Sequence, residues 1–190
     1  YSQNIWYAVY RDALNDLKEA KILLNEDVVT AEAIKNNQLA LVEIMEVYCW
    51  TVLVHTFGDV PYTEALDSEA LLPKYDDAAT IYADLFVRLD AALAKLTPGT
   101  ASFGTADLLY NGSAAKWVLF GNSLKLKMGM TVADVDPSKG KSAVEEAFAA
   151  GVIATKADDL KYSVVSQINA VDRNSDGLVD HLFFGDLGGQ

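Results

Sequence analysis

The segment Asp172-Arg173-Asn174-Ser175-Asp176-Gly177-Leu178-Val179-Asp180 carries the most specific chemistry in the sequence. Asp172, Asn174 and Asp176 alternate, so their side chains can turn oxygens towards one point. Gly177 allows a sharp bend, Leu178 offers a backbone carbonyl, and Asp180 can bind directly or through water. This is the beginning of a calcium loop, since Ca2+ is a hard cation that takes about six to eight oxygen ligands. The bidentate glutamate of a complete calcium hand is missing, and Phe183 stands in its place. A metal loop here must therefore be completed by water or a distant carboxylate, for which Asp186, Asp158 and Asp159 are candidates. On this reading calcium is structural. The competing reading is a solvated Asn/Asp/Gly turn with no metal.

Other reactive residues are sparse. His55 and His181 are the only histidines and lack zinc-ligand spacing. His55 follows an apolar run, and a hydrogen-bonded core histidine is the expected state. Cys49 is the single cysteine, so no intrachain disulfide can form, and its apolar setting predicts a buried thiol. There is no Gly-x-Ser-x-Gly elbow, phosphate loop or dinucleotide fingerprint. Carboxylates are plentiful, and a pair suited to glycoside hydrolysis is defined by a separation that sequence does not reveal.

The elements that must position these groups are helical. Trp6, Val9, Tyr10, Ala13, Leu17, Ala20 and Leu24 recur at steps of three and four, predicting an amphipathic helix from Asn4 to about Leu24. Thr30 is the expected cap of a second helix, with Ile34, Leu41, Met45, Tyr48, Val52 and Leu53 as its stripe and Gly58 as its stop. From Leu39 to Val54 this helix is apolar nearly all round, as a helix enclosed by neighbours would be. Asp76 and Asp77 open a third helix with Ile81, Leu85, Leu89, Ala92, Leu93 and Leu96, which ends at Pro98-Gly99. Ser113 caps a fourth, carrying Trp117, Phe120, Leu124, Met128 and Val132. Asp136-Pro137 starts a fifth, with Val144, Ala147 and Phe148 inward and Gly151 as its stop. The connector from Thr100 to Asn111 reads as irregular, with room for short strands. Beyond Gly151 the helical pattern fades.

The fold class is therefore all-α, built of helical hairpins that could stack as tetratricopeptide-like pairs, although no clean repeat is visible. With 190 residues, 51% of them hydrophobic, the chain can bury one core. A net charge of -12 opposes binding to nucleic acid or to anionic lipid headgroups. No unbroken apolar run of about 18 residues marks a membrane span. The chain opens at Tyr1-Ser2-Gln3 without a start methionine, a basic n-region or an apolar h-region. Either a signal was removed or the sequence begins inside a longer protein; the amphipathic pattern already running in the first turn favours the second.

Three stretches together resemble the SusD/RagB family. The first is Phe57-Gly58-Asp59-Val60-Pro61-Tyr62-Thr63-Glu64-Ala65-Leu66. The second is Pro73-Lys74-Tyr75-Asp76, followed by Ile81-Tyr82 and Leu89-Asp90-Ala91-Ala92. The third is Asp107-Leu108-Leu109-Tyr110-Asn111-Gly112, leading into Lys116-Trp117 and Asn122-Ser123-Leu124-Lys125-Leu126-Lys127-Met128. The resemblance runs from Tyr1 to about Ala154. It implies a SusD-like helical domain over residues 1–154. Residues 155–190 would then form an irregular segment with the calcium loop, packed on that domain or leading into a further region.

The resemblance also implies a non-catalytic role: a surface-exposed lipoprotein of the outer membrane that captures a glycan or other nutrient for a SusC-like TonB-dependent transporter. Members of the family are usually longer. Cys49, inside a helix, cannot serve as their lipid-bearing cysteine. The ligand and its contact residues are not legible in the sequence, and Gly58, Asp59, Pro61 and Trp117 read as scaffold. Two alternatives stay open. One is a helical-repeat adaptor for a protein partner, and the other is a helical glycoside hydrolase.

Overall fold

A computed structural model of the chain describes residues 2–67 and 69–159. The calcium-loop residues Asp172, Asn174, Asp176, Leu178 and Asp180 lie outside the described residues, as do His181, Phe183 and Asp186.

The order of elements is α1 (Ser2–Tyr7), a π-helical stretch (Ala8–Leu14), α2 (Asn15–Glu26), α3 (Glu32–Phe57), α4 (Ala78–Lys95), a 3-10 turn (Gly104–Ala106), α5 (Ala114–Val132) and α6 (Pro137–Ala150). Among the described residues the fold is all-α, and the one β feature is an isolated antiparallel bridge between Val60 and Asp76. The connector from Thr100 to Asn111, where strands were a possibility, holds the 3-10 turn instead.

Helix α3 is the axis of the structure. Ile44, Val47 and Leu53 are fully enclosed, and α2, α4 and α5 all pack against it. It is long and apolar enough to cross a membrane by length and composition alone, contrary to the expectation from unbroken apolar runs. Here its apolar surface is spent on the core, alongside buried Asn37, Glu46 and Thr51. Asn37 sits deep in the loop after α4, donating to the carbonyls of Thr97, Thr100 and Ala101 while its Oδ1 accepts the Thr97 N–H at 2.8 Å.

The first predicted helix is continuous from Ser2 to Glu26 but not uniformly α. The π-helical stretch takes more residues per turn, which rotates the apolar stripe. Leu14, outside the predicted stripe, is buried, whereas α2 has no fully buried residue. Thr30 does not cap α3. The cap position is Ala31, without a side-chain bond, because the loop is organised by Asp27, whose Oδ1 accepts the Val29 and Thr30 N–H groups.

The predicted caps Ser113 and Asp136 are present, accepting from Lys116 N and Lys139 N. The inner face of α6 keeps the predicted Ala147, with Val144 half-buried, but adds buried Gly140 and Ala143 and loses Phe148, which is 72% exposed. The reason is close approach. A Cβ on Gly140 would lie 2.8 Å from Ala133 Cα and 2.9 Å from Gly129 O, so small residues let α5 and α6 meet nearly backbone to backbone.

Candidate functional site

Gly58 ends α3 with φ 75° and ψ -120°, a backbone conformation in which only glycine is at ease. The following turn is held by carboxylates. Val60 is fully buried, and its carbonyl accepts the Asp76 N–H at 3.0 Å. The Asp76 carboxylate accepts from Thr63 N at 2.7 Å, Thr63 Oγ1 at 2.9 Å and Tyr62 N at 3.2 Å. Asp59 Oδ1 accepts the Ala78 N–H at 2.9 Å and Asp77 accepts the Thr80 N–H at 2.9 Å, so both satisfy donors left open at the start of α4. Tyr10 donates to the Pro61 carbonyl at 2.6 Å, tying the π-helical stretch to the turn. These residues are scaffold.

The same is true of the stretch before α5. Asp107 is 8% exposed, and its carboxylate accepts from Trp117 Nε1 at 2.7 Å and from the N–H groups of Leu109, Tyr110 and Gly112 at 3.0 to 3.2 Å. Trp117 is buried and meets Tyr110 and Phe120 edge to face. Sequence reasoning placed Trp117 on the core stripe but missed Asp107. The available signal was an aspartate five residues before a glycine in a connector, a spacing suited to wrapping backbone around a carboxylate.

A third constellation is polar and half-buried. Glu43 and Glu46, one turn apart on α3, sit between Lys21 of α2 and Arg88 of α4. Lys21 Nζ lies 2.6 Å from Glu43 and 3.0 Å from Glu46; Arg88 pairs with Glu43 at 2.5 Å, with Glu46, and with the Tyr62 hydroxyl at 2.8 Å. The Tyr62 hydroxyl in turn donates to Asp84. Burial pushes the Glu43 carboxyl up, but Arg88 and Lys21 outweigh it and hold the group below its ordinary value. Lys21, Glu43 and Arg88 of this network line a cleft of about 340 Å³ between α2, α3 and α4. Sequence reasoning missed it, although two glutamates three residues apart in an otherwise apolar helix were visible.

Among the described residues, the groups considered for catalysis do not assemble. Cys49 is buried, and burial, with Glu46 nearby, pushes its thiol up to about 12. It is an inert core residue, as predicted. His55 is exposed rather than in the core, with Nε2 2.8 Å from the Tyr82 hydroxyl; partial burial and Lys127 hold its pKa down. The pair Glu43 and Glu46 is bridged by cations, a state suited to anchoring and unsuited to proton donation. Among the described residues no group of three or more His, Cys, Asp or Glu side chains is placed to hold a metal ion. Asp158, a candidate to complete the calcium loop, accepts from Thr155 Oγ1 at 2.7 Å.

Comparisons with known proteins are consistent with this picture of a scaffold. A SusD-like family model, described as starch-binding and associating with the outer membrane, matches residues 1–183. Among solved structures, a chitin-binding protein is 29% identical with a TM-score of 0.72, over 84% of this chain and 34% of its own. A chitin-binding SusD homologue from Flavobacterium johnsoniae is 27% identical with a TM-score of 0.72, over 84% of this chain and 33% of its own. A SusD homologue from Bacteroides uniformis is 28% identical with a TM-score of 0.71, over 82% of this chain and 32% of its own. The chain thus spans about a third of the length of these structures. No curated protein matches it.

Proposed function

The chain belongs to the SusD-like family, and from that premise we propose that it binds a glycan or related nutrient, without altering it, at the outer-membrane surface. It then hands the ligand to a SusC-like TonB-dependent transporter. The observation that carries this reading is the likeness over 84% of the chain, at 27 to 29% identity, to two structures described as chitin-binding. Its internal chemistry agrees. The carboxylates in the described turns accept backbone N–H groups, and the most concentrated charged cluster is locked by its own ion pairs. Such groups build a rigid support. Lipidation at the outer-membrane surface would require a cysteine other than Cys49, which is enclosed in α3. A calcium ion at Asp172, Asn174, Asp176, Leu178 and Asp180 would stiffen the C-terminal segment.

The test is co-sedimentation of the purified chain with insoluble chitin and starch, with soluble products analysed by chromatography. Retention on a polysaccharide with no released sugar is the expected result. Release of oligosaccharides would establish a glycoside hydrolase instead. Failure to bind any glycan, combined with capture of a purified transporter, would favour the adaptor reading.

A further inference from the structure

The cleft between α2, α3 and α4 has a chemistry that its ion pairs do not exhaust. Its floor is small and apolar (Leu39, Ala40, Ala91 and Ala92), and its polar wall is Lys21, Asn25, Glu43, Arg88 and Lys95. Lys21 and Arg88 already neutralise Glu43 and Glu46. An ammonium has three N–H donors and a guanidinium five. Lys21 spends two of its donors on these carboxylates, and Arg88 spends three on Glu43, Glu46 and Tyr62. Both therefore keep donors in reserve at the edge of the cleft. Lys95, in the last turn of α4, forms no ion pair among the described residues. The cleft is rich in donors, and its local balance is one positive charge in a chain of net charge -12.

We propose that this cleft binds a sugar residue bearing one anionic group, a carboxylate or a sulfate. Lys95 and the spare donors of Lys21 and Arg88 take the anionic oxygens. Asn25 Nδ2 donates to the Lys21 carbonyl at 2.8 Å, so its Oδ1 accepts from a ring hydroxyl, and Leu39 and Ala91 meet the carbon face of the ring. A cleft of about 340 Å³ accommodates one or two sugar units. The proposal rests on the glycan-binding reading above and narrows it to one ligand chemistry at one site. Because Glu43 and Glu46 hold Lys21 and Arg88 in place before any ligand arrives, the donors are pre-positioned and little ordering accompanies binding.

The experiment is calorimetry and amide chemical-shift mapping of the full 190-residue chain with three probes: an oligogalacturonate, a sulfated galactan oligosaccharide and a neutral chitin oligosaccharide. The expected result is binding of at least one anionic probe, with shifts centred on Lys21, Asn25 and Lys95. Affinity should weaken as salt rises and fall about tenfold in Lys95→Ala, as loss of one charge-assisted bond implies. Lys95 and Asn25 are exposed, so Lys95→Ala and Asn25→Ala leave the ion pairs of Lys21 and Arg88 with Glu43 and Glu46 intact and report on the ligand. Which anionic probe binds separates carboxylate from sulfate. Anionic binding unchanged in both variants would overturn the proposal. So would binding of the neutral probe alone, while leaving the glycan-binding reading in place. Binding of none of the probes would overturn the proposal, and retention on chitin or starch in the co-sedimentation test then decides the glycan-binding reading separately.

Discussion

The indole N–H of Trp117 donates to the Asp107 carboxylate at 2.7 Å, joining the first turns of α5 to the connector that precedes it. One carboxylate oxygen serves Leu109 and Tyr110, and the other serves Gly112 and Trp117. Asp107→Ala would strand these donors in a largely buried site. The expected loss is about 3 kcal/mol of unfolding free energy, from several charge-assisted bonds removed together. Asp107→Asn should cost less, since it keeps one acceptor. Urea denaturation followed by tryptophan fluorescence measures both, and equal losses in the two variants would show that the hub does not depend on acceptor chemistry.

The α5–α6 contact makes a prediction about two glycines. At Gly140 an added Cβ meets the backbone of Ala133 and Gly129, which cannot yield without moving a helix. At Gly121 it meets Leu93 Cδ2 at 2.7 Å, the far end of a flexible side chain. Gly140→Ala should therefore destabilise by about 1 to 3 kcal/mol. Gly121→Ala should fall near neutrality, because the gain in helix propensity of about 1 kcal/mol offsets the repacking. Thermal melts of the two variants test the order, and a reversed order would argue against close backbone packing of α5 and α6.

Stability should fall in acid. Glu43 is held below its ordinary value of 4.5 by Arg88 and Lys21 against its burial. Asp76 and Asp77 are held below 3.8, chiefly by the N–H groups of Thr63 and Thr80. In each case the folded form binds its proton less readily than the unfolded chain does. The contribution is therefore complete above the ordinary values and lost as pH falls through the lower folded values. The urea midpoint should be flat between pH 7 and about pH 5.5 with respect to these groups, then decline towards pH 3. A midpoint that rose on acidification would contradict the assignment.

Calcium should raise the melting temperature by a few degrees at millimolar concentration, by preferential binding to the folded chain. A chelator should reverse the rise, and Asp176→Ala should abolish it without changing the melt in chelator. An identical melt with and without calcium would leave Asp172 to Asp180 as a plain polar turn.

Most of the helices were legible because their apolar positions repeat at helical spacing and their caps are local. Asp77, Ser113, Asp136, Gly58 and Gly151 each act within a few residues of their own position. What was not legible depended on distance in sequence. Asp76 organises Tyr62 and Thr63 from the far side of a loop, and Arg88 reaches Glu43 and Glu46 on another helix. Phe148 reads as part of the inner face beside Ala147, but the face that meets α5 is that of Gly140, Ala143 and Ala147, where the close approach admits only small residues. Thr30 fitted a cap by type, but Asp27 organises its loop. The calcium loop is a matter of sequence alone, because its residues lie outside those described.

Helix α3 passes for a bilayer span by length and composition, yet Glu43 and Glu46 lie near its middle. Insertion measurements put an ionisable side chain at mid-bilayer on the order of 2.5 to 3.5 kcal/mol uphill. On any route that carries the newly made polypeptide through a translocation channel, these two carboxylates discourage the segment from slipping sideways into lipid. They then find their cations only after the hairpins have closed. The residues that lock Arg88 in the folded protein also make the segment costly to lodge in a bilayer.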